Sequence, residues 1–153
     1  MANQGQFSSG AVLTASELNA FTPLTIVTQS ATQSVANATF VTMLYNTETL
    51  DVLNWHSTTV NTSRITPTVA GYYLVVFNMQ TNTTSTRNVA RITKNGSELA
   101  KTDISATVTQ IDATTFVQLN GSTDYVESTC FQQSGATANI GPCIFTVMLV
   151  RAT

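Results

Sequence analysis

An all-β sandwich or barrel is the architecture this sequence predicts, and three observations carry the prediction. Threonine fills 29 of 153 positions while Asp, Glu, Lys and Arg together make only 9%. A β-branched polar residue suits a pleated, half-wet surface, so the chain gets its polarity from strand formers, not charges. From Leu24 onward, short apolar runs and turn residues alternate at a spacing of roughly 8 to 12 residues, with no helical period between them. Two segments far apart in sequence, 71–81 and 143–151, are apolar on both faces. At 153 residues the chain is one ordinary domain with a sizeable core. Its net charge of -2 offers no basic stripe for a phosphate backbone, which argues against a nucleic-acid partner. No run approaches the ~18 apolar residues of a membrane span, which argues against membrane insertion by a helix.

Taken in order, the expected strands are 24–29, 35–45, 50–55, 71–81, 87–94, 97–101, 104–110, 113–119, 124–133 and 143–151. The fourth follows "RITPTVAG", where Pro67 and Gly71 punctuate its start. Alternation turns Tyr73, Val75, Phe77 and Met79 one way and Tyr72, Leu74 and Val76 the other. Asn95-Gly96 in "TKNGSE" accepts the positive φ of a type I′ turn, and joins the fifth and sixth strands as a hairpin. In "DYVESTCFQQ" the pattern sets Tyr125, Glu127 and Thr129 opposite Val126, Ser128 and Cys130. The last strand, "CIFTVMLVRA", puts Cys143, Phe145, Val147 and Leu149 on one face and Ile144, Met148 and Val150 on the other.

Two doubly apolar strands imply that one sheet is covered on its outer face as well as its inner one. No helices are available for the task, so copies of the same chain are the simplest cover.

"ITPTVAGYYLVVF", "RITKNG", "GSTDYVE" and the closing "IFTVMLV" follow the order of the tumour necrosis factor and complement globular-head superfamily, which the chain resembles over about residues 35–151. The best motif is Gly71, Tyr73, Val75 and Phe77, similar to that family's Gly-X-aromatic-X-apolar-X-aromatic strand. The resemblance implies a ten-strand, two-sheet jelly roll that assembles as a homotrimer. It implies a sandwich core containing Tyr73, Val75, Phe77, Phe145 and Leu149, and a trimer interface formed by Tyr72, Leu74, Val76, Met148 and Val150. Val147 departs from the family pattern, in which many members have a small residue there.

Ahead of the sandwich, "TASE" has capping-box spacing, with Thr14 and Glu17 able to exchange side chain–backbone bonds. One or two helical turns over 15–20 are expected, closed by Pro23, so that residues 1–23 form a tether and 24–153 the domain. A terminus lying on its own domain is the other reading. "FSSGAVLTASELNAF" also resembles opening segments of bacteriophage tail and appendage proteins, through Val12, Leu13, Thr14, Ala15, Leu18 and Asn19. That resemblance implies virion anchoring through Val12, Leu13, Leu18 and Phe21. The opening has no charged stretch followed by an apolar one, so no secretory signal is read and synthesis in a host cytoplasm is expected.

Together these readings favour a bacteriophage virion protein, a head fibre, decoration trimer or tail appendage. Its partners are then itself, other virion proteins through the N-terminal segment, and in some settings a host cell-surface glycan. The alternative is a secreted ligand of the tumour necrosis factor type or a carbohydrate-binding module. Catalysis is poorly supported. His56, the sole histidine, sits in "NWHS" with no nucleophile motif and is expected to face solvent or a turn. Trp55 is expected to plug a core, though it is also a candidate sugar platform. No catalytic residues, metal ligands or cofactor are assigned: Cys and His lack zinc spacing, and the eight carboxylates are dispersed. Cys130 and Cys143 are either buried thiols or a disulfide. Arg87, Arg91 and Lys94 are read as a solvated strand edge.

Overall fold

The computed structural model describes residues 23–153, which contain strands and turns and no helix. Chain order gives β1 (Leu24–Thr28), β2 (Gln33–Val35), β3 (Val41–Thr42), β4 (Thr47–Asp51), β5 (Arg64–Ile65) and β6 (Ala70–Gln80). There follow β7 (Asn88–Lys94), β8 (Ser97–Ile104), β9 (Gln110–Asn120), β10 (Val126–Gln132), β11 (Ala138–Ile140) and β12 (Ile144–Ala152). The expected helical turns at 15–20 lie outside the described residues.

Two five-stranded antiparallel sheets hold ten of these strands. The first runs β4-β1-β12-β6-β9; the second runs β3-β10-β7-β8 with β5 also on β10, and β2 and β11 form a small ribbon. Sequence neighbours are mostly in different sheets, as a jelly roll requires. The core between them is largely apolar, with Tyr45, Tyr73, Phe77, Phe145, Met79 and Ile92 fully buried. Phe145 links the layers. Its ring stacks on Tyr45 at 5.8 Å and meets Phe77 edge-on at 6.2 Å. Buried polar groups are mostly paired, as low dielectric demands: the Tyr45 hydroxyl lies 2.5 Å from Ser128 Oγ, and the Gln132 amide donates to the carbonyls of Val35 and Ala136, whereas Asn88 Oδ1 is buried without a partner among the described residues.

The strands that differ from expectation do so for local reasons. The single strand expected over 35–45 is two short ones, because Ala38 takes a positive φ of 53° and its amide turns to the Gln132 carbonyl. The strand expected at 50–55 ends at Asp51, whose carboxylate accepts from the amides of Trp55 and His56 and so fixes a turn there. The two strands expected over 97–110 are one, β8, followed by a loop. The second residue of β6 is a glycine for a packing reason: a Cβ on Gly71 would collide with the Arg151 carbonyl and lie 2.7 Å from Leu149 Cδ1. Asn95 and Gly96 both have positive φ, 50° and 81°, as the hairpin between β7 and β8 requires.

The strand directions give the sandwich two poles. Leu24 pairs with Met148 and Thr28 with Ile144, so the first and last strands have their outer ends at the same pole. The connections 29–32, 81–87, 105–109 and 133–143 lie at the opposite one.

Candidate functional site

The outer face of the first sheet is the surface that needs explaining. Ladder pairing places Leu24 beside Met148, Met148 beside Leu74, and Leu74 beside Phe116. Four apolar side chains thus cross four adjacent strands in one row. The next row is Leu50, Ile26, Thr146, Val76 and Thr114. Phe116 is 67% exposed and Leu50 41%, while Leu74, Val76 and Met148 are half-buried. Charge appears only toward the ends of this face, at Asp112 and Arg151, and neither is in an ion pair among the described residues.

The residues expected at an interface occupy this face to different degrees. Leu74, Val76 and Met148 are central, Tyr72 lies toward one end opposite Arg151, and Val150 sits in a bulge where the register shifts between Leu149 and Arg151. Tyr73, Val75, Phe77 and Phe145 point inward with no exposure, and Leu149 is buried with them. Four further members of the face, Leu24, Ile26, Leu50 and Phe116, escaped the sequence reading. Phe116 had a usable signal: alternation in "IDATTFVQLN" sets one aromatic among Asp112, Thr114 and Gln118. Val12, Leu13, Leu18 and Phe21 lie outside the described residues.

The outer face of the second sheet is chemically opposite. Glu127 accepts from Arg64 Nε at 3.2 Å and Ser63 Oγ at 2.7 Å. Arg87 binds Asp103 through two nitrogens at 2.9 and 2.6 Å, and Glu98 meets both Arg91 and Lys101. The Arg91 guanidinium lies 3.9 Å over Phe40, and that of Arg64 lies 4.0 Å over Tyr125. Lys94, at the end of β7, reaches Asp124 at 2.9 Å. Strand β7 is interior to its sheet, which corrects the reading of its cations as a strand edge; they are paired network members.

The remaining candidates are structural in their contacts. His56 is buried, which corrects the solvent-facing expectation: Nδ1 is 2.9 Å from Glu48 Oε1 and Nε2 is 3.1 Å from the Thr62 carbonyl. Trp55 is 3% exposed, donates to Thr68 Oγ1 and meets Tyr73 edge-on at 5.6 Å, so its ring is not open to a sugar. Cys130 and Cys143 are buried free thiols; burial pushes Cys143 up to about 11 and raises Cys130 too. Asp124 accepts from Asn95, Lys94 and the Asn120 amide, and the Asn95 bond, then Lys94, hold its carboxyl below the usual range. It lines a depression of about 290 Å³ with Lys94 and Gln118, and its oxygens are already used. Among the described residues, no three His, Cys, Asp or Glu side chains are grouped as a metal would need.

Solved structures supply the comparison. The globular domain of zebrafish complement 1qA superposes with a TM-score of 0.59 at 17% identity, over 86% of this chain and 99% of that one. The vertex protein P5 of PRD1 gives 0.63 at 12% identity, over 85% and 96% of the two chains. The chain has a TNF-like jelly-roll fold. Murine APRIL at pH 5.0 shares it, with a TM-score of 0.64 at 8% identity over 84% of this chain and 99% of its own. No family model and no curated protein matches the sequence. At these identities the TNF-like likeness shows the fold alone, and the apolar sheet face is where function must be sought.

Proposed function

We propose that the chain is a bacteriophage virion structural protein: a homotrimeric jelly roll displayed on the particle as a head fibre, decoration protein or tail appendage, with residues 1–23 attaching it to other virion proteins. The carrying observation is the row Leu24, Met148, Leu74 and Phe116. It lies on a sheet that no described element covers, and a second and third copy remove it from water. A vertex protein among the structural neighbours and the phage-like opening segment support the virion setting. The neighbours APRIL and complement 1qA favour the same assembly in a secreted ligand, which is the second reading. In either setting the protein works by contact and display and needs no catalytic group.

Immunogold labelling of intact particles tests the location, and deletion of residues 1–23 tests the attachment. The truncated chain is expected to fold and assemble but to be missing from particles. Its normal incorporation would sink the attachment role.

A further inference from the structure

The pole opposite Leu24 and Ala152 is made by the connections 29–32, 36–40, 81–87, 105–109 and 133–143, in which Arg87 is the single residue of the Asp, Glu, Lys, Arg and His types. Their polar groups tie loop to loop. Ser85 Oγ accepts from the Gln133 amide at 2.8 Å and donates to the Arg87 carbonyl at 2.7 Å. Thr86 donates its hydroxyl to the Gln133 carbonyl, Thr107 donates to the Ser85 carbonyl, and the Gly135 amide donates to Asn37 Oδ1. The pole is therefore ordered before any ligand arrives, which lowers the entropy cost of binding. At its margin Phe40 is 40% exposed. Arg91 caps the ring at 3.9 Å and Phe131 lies 5.2 Å away, so the exposed part is rigidly presented. The nearest cations are both paired, Arg91 with Glu98 at 3.6 Å and Arg87 with Asp103.

We propose that this pole, with Phe40 at its margin, binds an uncharged carbohydrate. A pyranose would lay its C–H groups on the part of the Phe40 ring that Arg91 and Phe131 leave exposed and exchange hydrogen bonds through its hydroxyls with Thr39, Thr86 and Gln133. An anionic ligand finds no unpaired cation in these loops and a cationic one finds no carboxylate. A protein partner would want Tyr, Trp or unpaired Arg anchors, and the single Arg of these loops, Arg87, is held by Asp103. Sugar hydroxyls, donors and acceptors at once, match the hydroxyl and amide groups that the loops do have. The outward direction of the pole rests on the display reading above, since attachment through the N-terminal segment would leave this end farthest from the particle. The site lies on the opposite side from the apolar row, so assembly would repeat it and raise avidity.

Retention of the full-length protein on immobilised mannan, galactan and dextran, with heparin and polylysine as charged controls, tests the proposal. At least one neutral polymer should retain it, with little dependence on salt. Phe40→Ala should weaken that retention about tenfold or more, while Phe40→Tyr, which keeps the ring, and Arg151→Ala, at the other pole, should preserve it. Unchanged thermal unfolding of Phe40→Ala would show that the fold is intact. Retention by no neutral polymer, preference for heparin, or full binding by Phe40→Ala would overturn the assignment. Incorporation of the same variants into particles is read separately and should not change, so failure of the sugar site and failure of the display role are distinguishable.

Discussion

On the outer face of β4-β1-β12-β6-β9 four apolar side chains stand in a row and charge is confined to Asp112 and Arg151, whereas the outer face of the other large sheet carries Arg64, Arg87, Arg91, Lys101, Glu98, Asp103 and Glu127 in ion pairs. Both faces belong to one sandwich with a common core, so the core does not explain the difference. Exposed ion pairs add little stability each, but burying them under a partner costs their hydration. The charged face is thereby suited to stay wet. On the apolar face the balance reverses, because each side chain moved fully from water to a packed contact gains roughly 1.5 to 3 kcal/mol.

The sharpest way to break the contrast is to make the first face resemble the second. Val76→Asp places a lone carboxylate in the middle of the apolar face and is expected to dissociate the assembly, at a cost of about 3 kcal/mol or more per buried charge. The same substitution at Thr84, in the exposed loop after β6, should leave both mass and melting temperature unchanged.

A smaller effect is expected from weakening the second face. Glu127→Ala leaves the Ser63 hydroxyl and Arg64 without their acceptor and should lower stability by about 1 to 2 kcal/mol, measured by urea unfolding. The oligomeric mass should not change. A change in mass would mean that the charged face also takes part in assembly.

The smallest effect is in pH dependence. Asp124 is held below the usual carboxylate range by Asn95 and Lys94, so its contribution is present above the unfolded-chain value of about 3.9 and fades as pH falls through the lower folded value. Melting temperature measured from about pH 5 downward should fall less steeply in Asp124→Asn than in the parent. Parallel curves would show that Asp124 does not couple to folding.

How legible these faces were in the sequence depended on the range of the signal. Strand β6 was readable almost to its ends because a run of aromatic, aliphatic and β-branched residues from Tyr72 to Phe77 follows Pro67 and Gly71, and the Asn95-Gly96 turn states its own geometry. The break at Ala38 was not readable, since nothing local favours a positive φ at alanine; the Gln132 carbonyl holds it from 94 residues away in sequence. The burial of His56 likewise depends on Glu48 and Asp51 folding back over it. Phe116 was overlooked because β9 alternates well and reads as an ordinary half-wet strand. Only the ladder, which sets Phe116 beside Leu74, shows that its wet side continues the apolar row.

The claim on which all this turns is that the apolar face is covered by copies of the same chain. Size-exclusion chromatography coupled to light scattering, on the wild-type protein at micromolar concentration, tests it most directly. A single species of three times the 16.4 kDa chain mass is the predicted result, whereas a stable species at 16.4 kDa would contradict the account and leave Leu24, Met148, Leu74 and Phe116 to be covered in some other way.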